Sequence, residues 1–283
     1  MNCEAMDSLE DFETITRLDI SSRGLITLPK LPPNLVYLRC SNNFLTHIPE
    51  LPVGLQHFFC ERNQLLTLPP LPPSLLTMNC SYNQLVFLPD LPETLNRLEC
   101  MNNDLTVLPS LPASLQKLWC DNNFINSLPA LPAGLENLGL NSNRLTVLPQ
   151  LPLHLEYLWC DRNLLTAIPD IPSTLKKLYC VGNKLRVLPA LPLSIKELGF
   201  GENPWTSVFA HYIDCEDELQ GVNAYHAERA AVLTRLTTLR KLLQTLATST
   251  LSNDIVNVVG KHISGHSGPV EKQILSLLQW LTN

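Results

Sequence analysis

Residues 71–90 read LPPSLLTMNCSYNQLVFLPD, with apolar side chains at Leu75, Met78, Leu85 and Leu88, Cys80 and Asn83 between them, and prolines at 72, 73 and 89. Residues 51–70, LPVGLQHFFCERNQLLTLPP, and 91–110, LPETLNRLECMNNDLTVLPS, carry the same residue types at the same offsets. A fixed period marks a repeat architecture, in which each unit buries its apolar face against the next. The whole reading of the chain follows from that register.

Carried outward, the period gives apolar columns from Ile15 to Ile195 and from Leu18 to Leu198. A third column holds Ile20, Cys40, Cys60, Cys80, Cys100, Cys120, Leu140, Cys160, Cys180 and Phe200. An asparagine column runs from Asn43 to Asn203, with Arg23 in the first row. The unit L-x-x-L-x-C-x-x-N-x-L-x-x-[LI]-P-x-[LI]-P resembles the leucine-rich repeat, and ten such units cover residues 15–205. In that pattern L-x-C sets alternate side chains inward from a short strand, the strands stack in parallel, and the inward residues form one continuous core. The asparagine is expected to bond backbone where the chain leaves the strand.

Two prolines recur per unit, from Pro29 and Pro32 to Pro189 and Pro192. Proline fixes φ, removes a donor and biases its predecessor toward extended backbone, so the return leg is predicted to run helix-free and polyproline-like. The expected fold class is an α/β solenoid of short proline-rich repeats forming a curved parallel sheet, with a small helical region after it. Residues 1–14 form a lead-in, 15–205 the solenoid, and 206–283 a helical cap or small helical domain.

The short unit with L-P-x-L-P is similar to the repeats of bacterial secreted effectors, the group that includes the Yersinia outer protein M and Shigella invasion plasmid antigen H families. The resemblance covers about two-thirds of the chain. It implies a protein-binding scaffold, delivered by a specialised secretion system into host cytoplasm, with host protein as partner and no cofactor.

Composition narrows the partner class. With 283 residues, 45% hydrophobic and 16% charged, the chain has ample material for a core. A net charge of -6 disfavours a binder of phosphate backbones, which needs a basic face. The N-terminal MNCEAMDSLEDFET is acidic and has no apolar run, so no cleaved secretory signal is expected. No stretch reaches the eighteen or so apolar residues of a membrane span.

Seven cysteines at regular intervals suggest a disulfide ladder or a metal array, but neither suits the spacing. Neighbouring parallel strands hold their Cβ atoms nearly a strand spacing apart, beyond the ~3.8 Å that a disulfide prefers. One ligand per layer in a line also fails to converge on zinc. The column is therefore predicted to be buried packing, suited to a reducing compartment.

Residues flanking the inward positions point to the concave face. Tyr37, Phe59, Arg97, Lys117, Trp119, Tyr157, Trp159, Lys177 and Tyr179 recur there, and aromatics on an otherwise wet surface point to an interface. Trp119, Trp159, Tyr157 and Tyr179 form the expected centre, although strand propensity alone also favours aromatics. Gly139, between the two tryptophans, is expected to leave a notch for a partner side chain. Lys117, Lys177, Asp121, Asp161 and Arg162 form a mixed rim suited to steering.

After residue 205 the period fails and apolar spacing becomes helical, with Val232, Leu233, Leu236, Leu239, Leu243 and Leu246 on one stripe. Cys215-Glu216-Asp217 matches the C-E-D motif of the ubiquitin ligases among the effectors, so the resemblance offers Cys215 as nucleophile and Asp217 as its partner. The chain after the repeats is several times shorter than that ligase domain, and acidic neighbours raise a thiol's pKa. Catalysis is thus the alternative to binding. His262 and His266 stand four apart, but Gly265 breaks the helix and no further ligand accompanies them, so no metal is expected.

Overall fold

The computed structural model describes residues 12–205, together with 222–224, 226–228, 230, 231, 234 and 237. Its chain divides into two compact units, Met1–Pro204 and Trp205–Asn283. In the first, a 3-10 turn at Phe12–Thr14 leads into ten strands of three residues each: β1 (Arg17–Asp19), β2 (Tyr37–Arg39), β3 (His57–Phe59), β4 (Thr77–Asn79), β5 (Arg97–Glu99), β6 (Lys117–Trp119), β7 (Asn137–Gly139), β8 (Tyr157–Trp159), β9 (Lys177–Tyr179) and β10 (Glu197–Gly199). They form one sheet in sequence order, every pair parallel and in register at a separation of twenty residues.

Each strand turns its central residue inward, and Leu38, Phe58, Met78, Leu98, Leu118, Leu138, Leu158 and Leu178 are fully buried. Behind them lie two further apolar columns, from Leu35 to Leu175 and from Leu45 to Leu185. Burying one such leucine contributes on the order of 2 kcal/mol, and every row repeats the set. No helix interrupts the return legs among the described residues of the solenoid, in keeping with the paired prolines.

All seven column cysteines are free and fully buried. Thiols of Cys40, Cys80, Cys120 and Cys160 donate to the carbonyls of Phe59, Glu99, Gly139 and Tyr179 on the next strand at 3.2–3.6 Å. Burial pushes the Cys40 and Cys80 thiols up to about 12. They are packing groups with a weak donor, not nucleophiles.

The asparagine column stitches rows together. Asn63 donates from Nδ2 to the carbonyls of Cys40 and Cys60 at 3.1 and 3.0 Å, and its Oδ1 accepts from the Leu45 amide at 3.0 Å. Asn103, Asn123, Asn143, Asn163 and Asn183 repeat this, so one side chain satisfies backbone of two successive rows. Between cysteine and asparagine the backbone turns left-handed in every row, at Ser22 (φ 57°), Asn42, Arg62, Tyr82, Asn102, Asn122, Ser142, Arg162, Gly182 and Glu202. Asparagine and glycine adopt that conformation readily, whereas arginine and tyrosine are held there against a steric cost.

In the second unit the described residues 222–224, 226–228, 230, 231, 234 and 237 are helical. The helical stripe at 232, 233, 236, 239, 243 and 246 lies outside the described residues.

Candidate functional site

The in-register sheet turns the first and third residue of every strand to one face, so the aromatic positions predicted from the repeat share a surface. Trp119 stands beside Gly139, Gly139 beside Trp159, and Trp159 beside Tyr179 on four consecutive strands. Tyr157 and Trp159 stack nearly parallel, with centroids 5.7 Å apart and planes at 10°. All four aromatics are half-buried, so part of each remains exposed to solvent.

Tyr37 and Phe59 form a second group nearer the N-terminus. Their rings lie 5.4 Å apart at 42°, His57 adds a ring 6.2 Å from Tyr37, and the Arg17 guanidinium covers Tyr37 at 3.6 Å. Two polar rows, Thr77 and Asn79 on β4 and Arg97 and Glu99 on β5, separate this group from the tryptophans.

The expected rim charges differ in their engagement. Arg97 pairs with Glu99 at 2.6 Å and lies 5.0 Å from the Trp119 ring centre, while Asn79 donates to the other oxygen of Glu99. Lys177 pairs with Glu197 at 2.6 Å, and the Tyr179 hydroxyl donates to the same carboxylate at 3.0 Å. Those two bonds hold the Glu197 carboxyl below its ordinary value, and the bond from Lys177 raises the lysine. Lys117 has no ion pair among the described residues.

Asp121 and Asp161 have a structural role that the sequence did not disclose. Asp121 Oδ1 accepts the Asn141 amide at 2.9 Å, Asn141 Oδ1 accepts the Asp161 amide at 2.8 Å, and Asp161 Oδ1 accepts the Val181 amide at 2.7 Å. They form a side-chain ladder along the strand exits. Burial pushes both carboxyls above the usual aspartate value.

The notch expected at Gly139 is filled. Gly139 is buried, and a β-carbon there would lie 2.7 Å from Trp119 Cδ1 and 2.7 Å from Asp121 Oδ2. The indole leans across the strand onto the glycine, so Gly139 seats Trp119 instead of receiving a partner's side chain. The twenty-residue period sets Trp119 and Gly139 side by side but carries no information on which way the ring tilts.

Cys215, Asp217, His262 and His266 lie outside the described residues. Among the described residues no three His, Cys, Asp or Glu side chains gather in a metal-holding group, and no helix is long and apolar enough to cross a membrane.

Ten in-register parallel strands, an inward leucine lattice and a bridging asparagine ladder define a leucine-rich-repeat solenoid of the short, helix-free kind. No family model and no curated protein matches the chain. Among solved structures, the leucine-rich effector protein YopM from Yersinia pestis is 35% identical, over 68% of this chain and 62% of that one, with a TM-score of 0.61. YopM from Yersinia enterocolitica WA-314 is 30% identical over 71% and 57%, with a TM-score of 0.40. The leucine-rich repeat domain of APL1B, 21% identical over 72% and 73% with a TM-score of 0.52, shares the fold. The chain spans about three-fifths of the length of the two YopM chains.

Proposed function

We propose that this chain is a protein-binding scaffold, a secreted bacterial effector that holds a host protein on the concave face of its solenoid. The observation that carries the reading is the placement of Trp119, Tyr157, Trp159 and Tyr179 on β6, β8 and β9, half-buried on one face, with Tyr157 stacked on Trp159. Rigid, partly exposed aromatics supply contact area at low entropic cost and carry most of the energy in many interfaces. Similarity to the Yersinia pestis effector supports delivery into a host cell. Tyr37, Phe59, Arg97, Lys117 and Lys177 extend the surface on either side.

Capture from host-cell lysate followed by titration of the isolated partner tests this. Trp119→Ala and Trp159→Ala are each expected to weaken binding by roughly thirtyfold or more, the factor that a buried interface aromatic of ~2 kcal/mol implies. Val147→Ser, on the exposed return leg, serves as the unaffected control. Equal affinity in all three variants moves the interface off this face. The ligase alternative has its own test. A charged ubiquitin-conjugating enzyme is expected to leave no reductant-sensitive adduct on Cys215, and an adduct abolished by Cys215→Ala reverses that expectation.

A further inference from the structure

The face around the tryptophans is polarised across the strands. Along β6 and its exit the order is Lys117, Trp119, Asp121, and along β8 and its exit it is Tyr157, Trp159, Asp161. An aromatic ridge thus runs along the stacking direction, with Asp121 and Asp161 on its strand-exit side, while Glu197 on the entry side is already held by Lys177 and the Tyr179 hydroxyl. Asp121 and Asp161 lie two strand spacings apart, ~10 Å. Asp121 is 8% exposed, and its Oδ2 lies just beneath the face, 2.7 Å from the outward β-carbon position of Gly139 and beside the Trp119 ring.

These two acids differ from the others on the face. Glu99 and Glu197 hold basic partners at 2.6 Å, whereas neither Asp121 nor Asp161 has an ion pair among the described residues, although Arg162 is near enough to Asp161 to act on its charge. Nor does the ladder need their charge. Asn141, directly between them, accepts the next amide at 2.8 Å with a neutral side chain, as well as Asp121 does at 2.9 Å and Asp161 at 2.7 Å. Two partly desolvated charges therefore stand where a neutral isostere performs the scaffold task, and they flank a ridge suited to contact. An unpaired carboxylate in such a setting gains most from a cation brought by a partner.

Resting on the concave-face reading above, we propose that this surface recognises a polypeptide segment lying along the ridge, with an apolar residue against Trp119 and Trp159 and basic side chains, ~10 Å apart, set on Asp121 and Asp161. That distance matches residues i and i+3 of a polyproline-like segment or i and i+7 of a helix. Lys117 on the opposite side of the ridge fixes the direction in which the charges must be arranged.

A displayed library of random twelve-residue peptides, panned on the full chain, tests the idea. Recovered peptides should require Trp159, carry Arg or Lys beside an apolar residue, and bind the Asp121→Asn/Asp161→Asn double variant about tenfold or more weakly, with Glu in place of the peptide's basic residues having the same effect on the unmodified chain. Because Asn141 already shows that asparagine supports the ladder, the double variant should melt no lower than the parent. Peptides that need Trp159 but show no basic preference, or bind the double variant equally, overturn this inference and leave the concave-face reading standing. Peptides indifferent to Trp159→Ala overturn both. Failure to recover any peptide overturns the proposal of a linear basic segment, and the Glu-substituted peptides decide the matter should the double variant misfold.

Discussion

Tyr179 lies over Gly199 as Trp119 lies over Gly139: in each case a ring Cδ1 is 2.7 Å from where the glycine's β-carbon would stand. Neither glycine has a positive φ, so the requirement is space and not backbone freedom. The missing side chain lets an aromatic on one strand lean onto the next, which fixes the ring's direction on the open face. Gly139→Ala is therefore expected to displace Trp119, shift its fluorescence and destabilise the solenoid by about 1 kcal/mol, within the range for overpacking. Comparison with Trp119→Phe/Gly139→Ala assigns the spectral change, since the chain has four tryptophans. An unchanged spectrum would mean that the ring does not use this seat.

The asparagine ladder predicts a steep and position-dependent loss. In the middle of the array Asn103 donates to the carbonyls of Cys80 and Cys100 and accepts from the Leu85 amide, all at 3.0–3.1 Å. Asn103→Ala leaves these buried groups unpaired and is expected to cost about 2–3 kcal/mol in a denaturant titration. Asn103→Asp retains an acceptor but loses both donors and adds a buried charge, so it should be no milder. In the first row Arg23 stands at this position and only its backbone amide joins, donating to Asn43 Oδ1 at 3.0 Å. Arg23→Ala should accordingly cost far less.

Strict spacing made the scaffold legible. Leu75, Cys80, Asn83 and Pro89 recur every twenty residues because each must meet its counterpart in the neighbouring row, and a parallel in-register stack allows no slippage. Functions performed by varied residues were harder to read. The left-handed turn falls on Asn42 and Gly182, but also on Arg62 and Tyr82, whose side chains give no hint of it. A third ladder, of hydroxyls, is also periodic in the sequence: Ser74, Thr94, Ser114, Thr174 and Ser194 each donate a hydroxyl to the carbonyl nineteen residues earlier. On the candidate face, the period correctly gathered Trp119, Tyr157, Trp159 and Tyr179 but could not reveal ring tilt, which depends on what the adjacent strand leaves open.

Buried thiols give a chemical check on the packing. With Cys40 and Cys80 pushed up to about 12 by desolvation, almost no thiolate exists near neutral pH, and Cys60, Cys100 and Cys120 are raised as well. Ellman's reagent at pH 8 should leave all seven column cysteines unmodified in the native chain and reach them after denaturation. Cys3 and Cys215 are the two expected to react first. Rapid native modification of Cys80, Cys100 or Cys120, located by peptide mapping, would contradict a closed core.

Asp121 yields a prediction whose sign runs opposite to the usual carboxylate. Burial raises its folded-state pKa, with Asp161 adding repulsion, while the backbone and side-chain bonds to Asn141 partly offset the rise. Between the unfolded and folded pKa the native chain binds more protons than the unfolded one, so this group's contribution to stability falls as pH rises through that window. Above it, the buried charge remains a standing cost. Asp121→Asn keeps an oxygen for the Asn141 amide, as Asn141 itself does for Asp161. The variant should therefore be more stable than the parent at pH 7, and the difference should shrink as the pH is lowered below the folded-state pKa. Denaturant midpoints at intervals from pH 4 to pH 7 measure it. A variant less stable at pH 7, or a difference that grows toward acid, would show that the carboxylate is held by a favourable interaction that outweighs its desolvation.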